Sequence, residues 1–143
     1  MKYAVYVEGK AELLFVADIL AKYSNYDSTS VGFACINLNA DHWEYVQYPA
    51  QGSATVSSSF YQIVNVNNDG RVISKLRKDI PNLIKQGFEI ILGLRDVFGK
   101  DYGKHENDYQ SFLSTVSVED YEKLRNSGKC SSFKSFMESL SLL

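Results

Sequence analysis

Cysteine and histidine are scarce in this chain, and a basic excess and long apolar runs are missing; each lack argues against a class of function. There are two cysteines, Cys35 and Cys130, far apart and without metal-ligand spacing. That argues against a thiolate metal centre and for reduced cysteines in a cytosolic protein. The two histidines, His42 and His105, are isolated in sequence; His105, which follows an acidic loop, is the better placed for catalysis. No apolar segment approaches the ~20 residues of a membrane span. The opening does not read as a secretory leader: its charged region is one lysine, and Glu8 interrupts the apolar run. A cytoplasmic protein with no membrane partner is the expectation. The formal net charge is −2, whereas a domain that grips nucleic acid with its whole surface normally carries a basic excess. Any such contact is therefore confined to a local basic patch. Gly99–Gly103 lacks the spacing of a phosphate loop, and the serines of 53–59 form no nucleophile elbow.

What is present is enough for one domain with a real core. The 143 residues are 45% hydrophobic, which favours folding over disorder. A 13% aromatic share, rich in Tyr, suits a core and a partner surface alike. Tyr3–Val7 is β-branched and aromatic, a buried strand. Gly9 then permits an abrupt change of backbone direction. Leu13, Val16, Leu20 and Tyr23 recur at helical spacing, with Phe15 and Ile19 widening the apolar face. After a polar loop at 24–30, residues 31–38 read as a strand, 39–41 as a hairpin turn, and 42–48 as an antiparallel strand with one wetter face. Residues 60–66 form another strand. A helix over roughly 70–85 follows, with Val72, Ile73, Leu76, Ile80, Leu83 and Ile84 on one face and Pro81 expected to kink or interrupt it. Lys75, Arg77, Lys78 and Lys85 lie mainly off that face, as a solvated surface or a nucleic-acid contact. Residues 88–94 are almost continuously apolar and read as a central strand buried on both faces. The rest is helical: a short pattern at 107–115, a start at Ser117 with acids in the first turn, and an amphipathic stretch with Phe133, Phe136, Met137 and Leu140.

Two acids end two buried strands: Glu8 after the first, Asp96 after the last. Strand ends are where ligands meet an α/β sheet. If the strands are parallel neighbours, both carboxylates project at one edge. Converging carboxylates make a hard oxygen site suited to Mg²⁺ or Mn²⁺, and such an ion can clamp a phosphate and activate water. Glu12 and Asp101 are candidate third acids. The structural alternatives are that Glu8 and Glu12 favour a helix N-terminus and that Asp96 caps the following turn.

Val7-Glu-Gly-Lys-Ala-Glu-Leu-Leu-Phe15 resembles the opening motif of Toprim domains, nearest to the small Toprim-like proteins of bacterial and phage genomes and to the Toprim half of OLD-family nucleases. Asn65–Gly70 with Ser74–Arg77 is similar to the strand, turn and helix that precede the family's acidic strand. Ile90–Asp96 is similar to the strand bearing its metal-binding aspartate, and Asp96-Val-Phe-Gly99 looks like the Asp-aromatic-aromatic-Gly variant. The resemblance spans about residues 1–102 and leaves 103–143 as a helical extension of the same single domain. It implies an α/β fold with a mixed, mostly parallel sheet of four or five strands, helices on both faces and C-terminal helices beyond. It also implies Mg²⁺ or Mn²⁺ at the sheet's C-terminal edge, and phosphotransfer on nucleic acid. Glu8 and Asp96 would be the catalytic residues and metal ligands, and Asp101, five residues after Asp96, would join the metal site if its loop folds back. Lys10, Lys75, Arg95 and Lys100 would contact nucleic acid. One departure stands out: Phe98 occupies the place of the second acid in the Asp-x-Asp common to the family.

A metal-dependent nuclease or related phosphotransferase is thus the leading expectation. The alternatives are a catalytically idle Toprim-like module that binds a nucleic acid or a protein, in phage defence or counter-defence, and a structural subunit that assembles through its tyrosines, as a homodimer or with a partner.

Overall fold

Residues 1–39, 42–46, 57–67, 71–94, 117–126 and 131–140 are described by the computed structural model of the chain. The first strand, β1 (Lys2–Val7), is buried from Tyr3 onward. It lies inside a five-stranded sheet with β2 (Val31–Asn39), β3 (His42–Val46), β4 (Ser59–Asn65) and β5 (Ile90–Leu94), in the order β3-β2-β4-β1-β5. The four strands β1, β2, β4 and β5 are parallel, and β3 runs antiparallel to β2. This is the α/β class and the mixed, mostly parallel sheet expected from the sequence.

Alternation along β1 feeds two cores, because successive side chains in a strand point to opposite faces. Tyr3, Val5 and Val7 pack with Phe33, Tyr61 and Ile63 against α1 (Lys10–Tyr23). Ala4 and Tyr6 pack with Ile36, Val64 and Val66 against α2 (Arg71–Lys85). The two helices therefore cover opposite faces. A second layer lies over α1: α3 (Val118–Asn126) and α4 (Ser131–Ser139) close on it through Tyr121, Met137 and Phe136. The amphipathic C-terminal stretch thus packs within its own chain. Met137 and Leu140 are fully buried, and the Tyr61 hydroxyl donates to the Leu140 carbonyl at 2.7 Å.

Buried polar groups join these layers. The Tyr121 hydroxyl donates to Asp18 Oδ2 at 2.6 Å, and Lys22 Nζ lies 3.0 Å from the same oxygen. Ser117 and Asp120 cap α3 reciprocally: the Ser117 N–H donates to Asp120 Oδ2 at 2.9 Å, and the Asp120 N–H to Ser117 Oγ at 3.3 Å. That is a capping box with Asp in place of Glu. Beside α3, the Tyr23 hydroxyl is pushed up to about 12, first by burial and then by the charge of Glu122.

Four expectations need correcting. Residues 90–94 lie next to β1 and parallel to it, the condition set for a shared acidic edge, but among the described residues β5 is an edge strand, its side chains half-buried and Gly93 exposed. An apolar run alone does not separate a central strand from an edge strand with one covered face. In α2, Ile73 and Ile84 are 48% and 61% exposed, because the buried stripe of the helix is narrower than its apolar pattern. Lys75, placed off that face by the pattern, instead packs inward against Asp79. Pro81 does not end α2, which runs unbroken to Lys85. The carbonyl left without its usual N–H partner is that of Arg77, an exposed residue, where water can serve it.

Candidate functional site

Chain order places the site. The helix after β1 covers one face and the helix after β4 covers the other, although β1 and β4 are neighbours. Such a reversal opens a crevice at the carboxyl ends of the two strands, the usual ligand position of an open α/β sheet. Register makes that edge level: Val7 lies opposite Asn65 of β4 and opposite Leu94 of β5, and Asn65 lies opposite Asn37 of β2.

Glu8 is the first residue beyond Val7, and it is 4% exposed. A strand end leading directly into a helix leaves it no room to swing into water. It sits just before Gly9, the N-cap of α1, which supplies no side-chain cap. Glu12, in the first turn, folds back over that position: a Cβ on Gly9 would lie 2.8 Å from Glu12 Oε2. Gly9 has φ −149°, extended backbone open to any residue. The chain does change direction here, between β1 and α1, but it is the missing Cβ of Gly9 that matters and not its conformational freedom. The two acids thus separate. Glu12 is placed to serve the N-terminus of α1, as a third-position Glu does in a capping box, while Glu8 is buried in the edge. Lys10, the first residue of α1, is half-buried beside them.

On the other side, the strand ends level with Val7 carry amides, Asn65 on β4 and Asn37 on β2, which the sequence pattern marks only as strand positions. Asn65, 1% exposed, donates through Nδ2 to Asn37 Oδ1 at 2.9 Å and to Asn67 Oδ1 at 3.2 Å. Its own Oδ1 accepts the Asn67 N–H at 2.9 Å. Asn67 takes the left-handed conformation, φ 60°, which Asn tolerates better than most residues. This network fixes the exit of β4 beside Glu8. A buried asparagine at the last position of an apolar strand must find partners, and here the neighbouring strand supplies one of them.

The other proposed residues divide. Lys75 points away from this edge, its Nζ 3.0 Å from Asp79 Oδ1, while Tyr6 donates to Asp79 Oδ2 at 2.6 Å. Burial, then Asp79, pushes the Tyr6 hydroxyl far above the usual phenol range. Asp96, Asp101, Arg95, Lys100, Phe98 and His105 lie outside the described residues, as does the side chain of His42. Among the described residues no three His, Cys, Asp or Glu side chains gather where they could hold a metal ion. Glu8 is the acid at this edge whose chemistry, a hard oxygen donor, fits Mg²⁺ or Mn²⁺. No helix among the described residues is long and apolar enough to cross a membrane.

Comparison with family models, with curated proteins and with solved structures gives no match for this chain.

Proposed function

We propose that the protein performs metal-dependent phosphodiester chemistry on nucleic acid, as a Toprim-like nuclease or related phosphotransferase. The observation that carries the reading is the parallel register of β1 and β5, with Val7 opposite Leu94. Glu8 follows the first directly, and Asp96 follows the second by two residues. A bound Mg²⁺ or Mn²⁺ would supply charge to clamp a phosphate and lower the pKa of a bound water. Glu8, held in a buried strand end, would bind that ion or move a proton at its carboxylate. Asp96 would be the principal ligand, with Asp101 as a further acid. The Asn65 network keeps the neighbouring strand exit fixed while charge builds up beside it.

The test is cleavage. The purified protein is incubated with supercoiled DNA, single-stranded DNA and RNA in the presence of Mn²⁺. Cleavage that disappears in Glu8→Gln supports the reading, and calorimetric titration of Mn²⁺ into wild type and Asp96→Ala checks the ligand. Equal heats from the two proteins would remove Asp96 from the site.

A second reading is a catalytically idle module that binds a nucleic acid or a protein, in phage defence or counter-defence. Amides at Asn37 and Asn65 and Phe98 in place of a second acid favour it, since fewer acids hold a divalent ion less tightly. No cleavage at high protein concentration would decide for this reading.

A further inference from the structure

The strongest charge asymmetry among the described residues is on α2. It holds five cations, Arg71, Lys75, Arg77, Lys78 and Lys85, against one acid, Asp79, in a chain of net charge −2. Lys75 and Asp79 neutralise each other in the only ion pair on α2 among the described residues. Helical geometry then sorts the remainder. Arg71, Lys78 and Lys85 recur at intervals of seven and so fall on one line, with Ser74 and Asn82 between them. Ser74, Lys78, Asn82 and Lys85 are exposed, Arg71 is half-buried, and the stripe contains no acid. At ~1.5 Å per residue it is about 21 Å long.

Its direction is fixed by contacts at both ends. A Cβ on Gly93, one residue before the end of β5, would meet Val72 Cγ1 at 3.1 Å; Lys2, at the start of β1, donates to the Gln86 carbonyl at 2.7 Å. So α2 runs from the sheet edge that carries Glu8 down to the opposite edge, and the basic stripe starts at the crevice. The exposed isoleucines lie elsewhere. Asp79 faces β1 through Tyr6, and Val72 and Leu76 face Gly93 of β5, so Ile73 and Ile84 fall on the flank beyond β5 and leave the basic stripe uninterrupted.

We infer that the Arg71–Lys78–Lys85 stripe is a track for the phosphate backbone of single-stranded nucleic acid leaving the crevice. This rests on the nucleic-acid reading above and names its form. A line of separated cations with hydrogen-bonding side chains between them matches a chain of phosphates. A single strand bends to follow a straight line, whereas the helical phosphate path of a stiff duplex meets such a line at one or two points. With one buried face along its length, α2 offers contact from the side and no base reading, so the track is sequence-independent.

The experiment measures binding by fluorescence anisotropy with a labelled oligothymidine in EDTA, so that no metal chemistry intervenes. The expected result is an affinity that falls with salt, with a log–log slope of about −2 for three contacts to a single strand. Arg71→Gln/Lys78→Glu/Lys85→Glu should lose at least tenfold in affinity and most of the slope. The exposed pair Lys78→Ala/Lys85→Ala, outside the core, should lose a smaller share of both. Lys123→Glu and Lys134→Glu, exposed cations of α3 and α4, should bind as wild type. Wild-type affinity in the triple variant, or binding only to a duplex or to phosphatidylglycerol vesicles, overturns the track. The two proposals fail separately. Binding with no cleavage upholds the track and sinks the nuclease; cleavage with unchanged affinity in the triple variant does the reverse.

Discussion

The helices α1 and α2 are of nearly equal length and cover opposite faces of one sheet, yet they are different kinds of element. Nine of the 14 residues of α1 are buried, against two of the 15 in α2. Both faces of α1 are in use: one meets the sheet, and the other meets α3 and α4. Of α2, the inward stripe is used and the rest meets water, a stripe of cations and a flank of isoleucines. The difference teaches where stability and recognition reside. Residues beneath a second layer cannot change without changing the core, whereas a face with nothing over it is free to recognise something else.

The sharpest way to break that contrast is at the polar contact between α1 and its outer layer. Asp18→Ala leaves Lys22 next to Tyr121 without its carboxylate, inside a pair whose side chains are 11% and 6% exposed. Removing one partner of a buried pair costs about 3–5 kcal/mol, and urea denaturation should show a loss of that size. Next comes Met137→Ala, expected to cost ~2–5 kcal/mol as a buried cavity, against Ile84→Ala on α2, expected to stay within ~0.5 kcal/mol. Similar midpoints for these two variants would abolish the distinction between the helices. A smaller effect sharpens the inner side of α2. Gly93→Ala would place a Cβ 2.9 Å from Leu76 Cδ1 and 3.1 Å from Val72 Cγ1. Overpacking of this kind costs about 1–3 kcal/mol, less where Leu76 can turn aside.

The smallest effect lies at the cap of the outer layer. The Ser117 N–H, then its hydroxyl, hold the Asp120 carboxyl below the ordinary aspartate value. A depressed carboxylate contributes stability above its unfolded pKa and loses it as pH falls through the folded one. The contribution of this cap should therefore be complete above the ordinary aspartate value of 3.8 and fade in more acid solution. Carboxyl-carbon NMR titration should find Asp120 low in wild type and only part of the way back toward the ordinary range in Ser117→Ala, which removes the hydroxyl and keeps the N–H.

Much of this contrast was legible in the sequence, for reasons that particular residues make plain. Strand β1, helix α1, the hairpin strand and the burial of Met137 and Leu140 follow from apolar periodicity, which burial enforces; the adjacency of β1 and β5 was expected from the two acids at their ends and from the Toprim resemblance. What failed was ranking among apolar residues. Nothing in Ile73 or Ile84 distinguishes them from Leu83 until the width of the covered stripe is known. Lys75 looked like its exposed neighbours because its partner, Asp79, is turned inward by the Tyr6 hydroxyl of β1, 73 residues away in the chain. At the candidate site, Glu8 was legible from its place after an apolar strand. The Asn37–Asn65–Asn67 network was not, because it depends on β2 and β4 being neighbours, which local pattern does not encode.

The bond from Tyr61 to the Leu140 carbonyl has a consequence for how the chain comes into being. Its partners are 79 residues apart, and Leu140 shares a core with Val5 and Leu13. During synthesis the sheet can pair once residue 94 has emerged, and α2 can settle on its face from what is already made. The opposite face is covered by α1 but stays incomplete until Leu140 arrives. At ~5–20 residues per second, several seconds pass between the appearance of β5 and that of Leu140, with part of the greasier side of the sheet uncovered. The nascent protein is thus finished on one side and half-covered on the other, and a chaperone that holds apolar surface would find its footing on the outer side of α1.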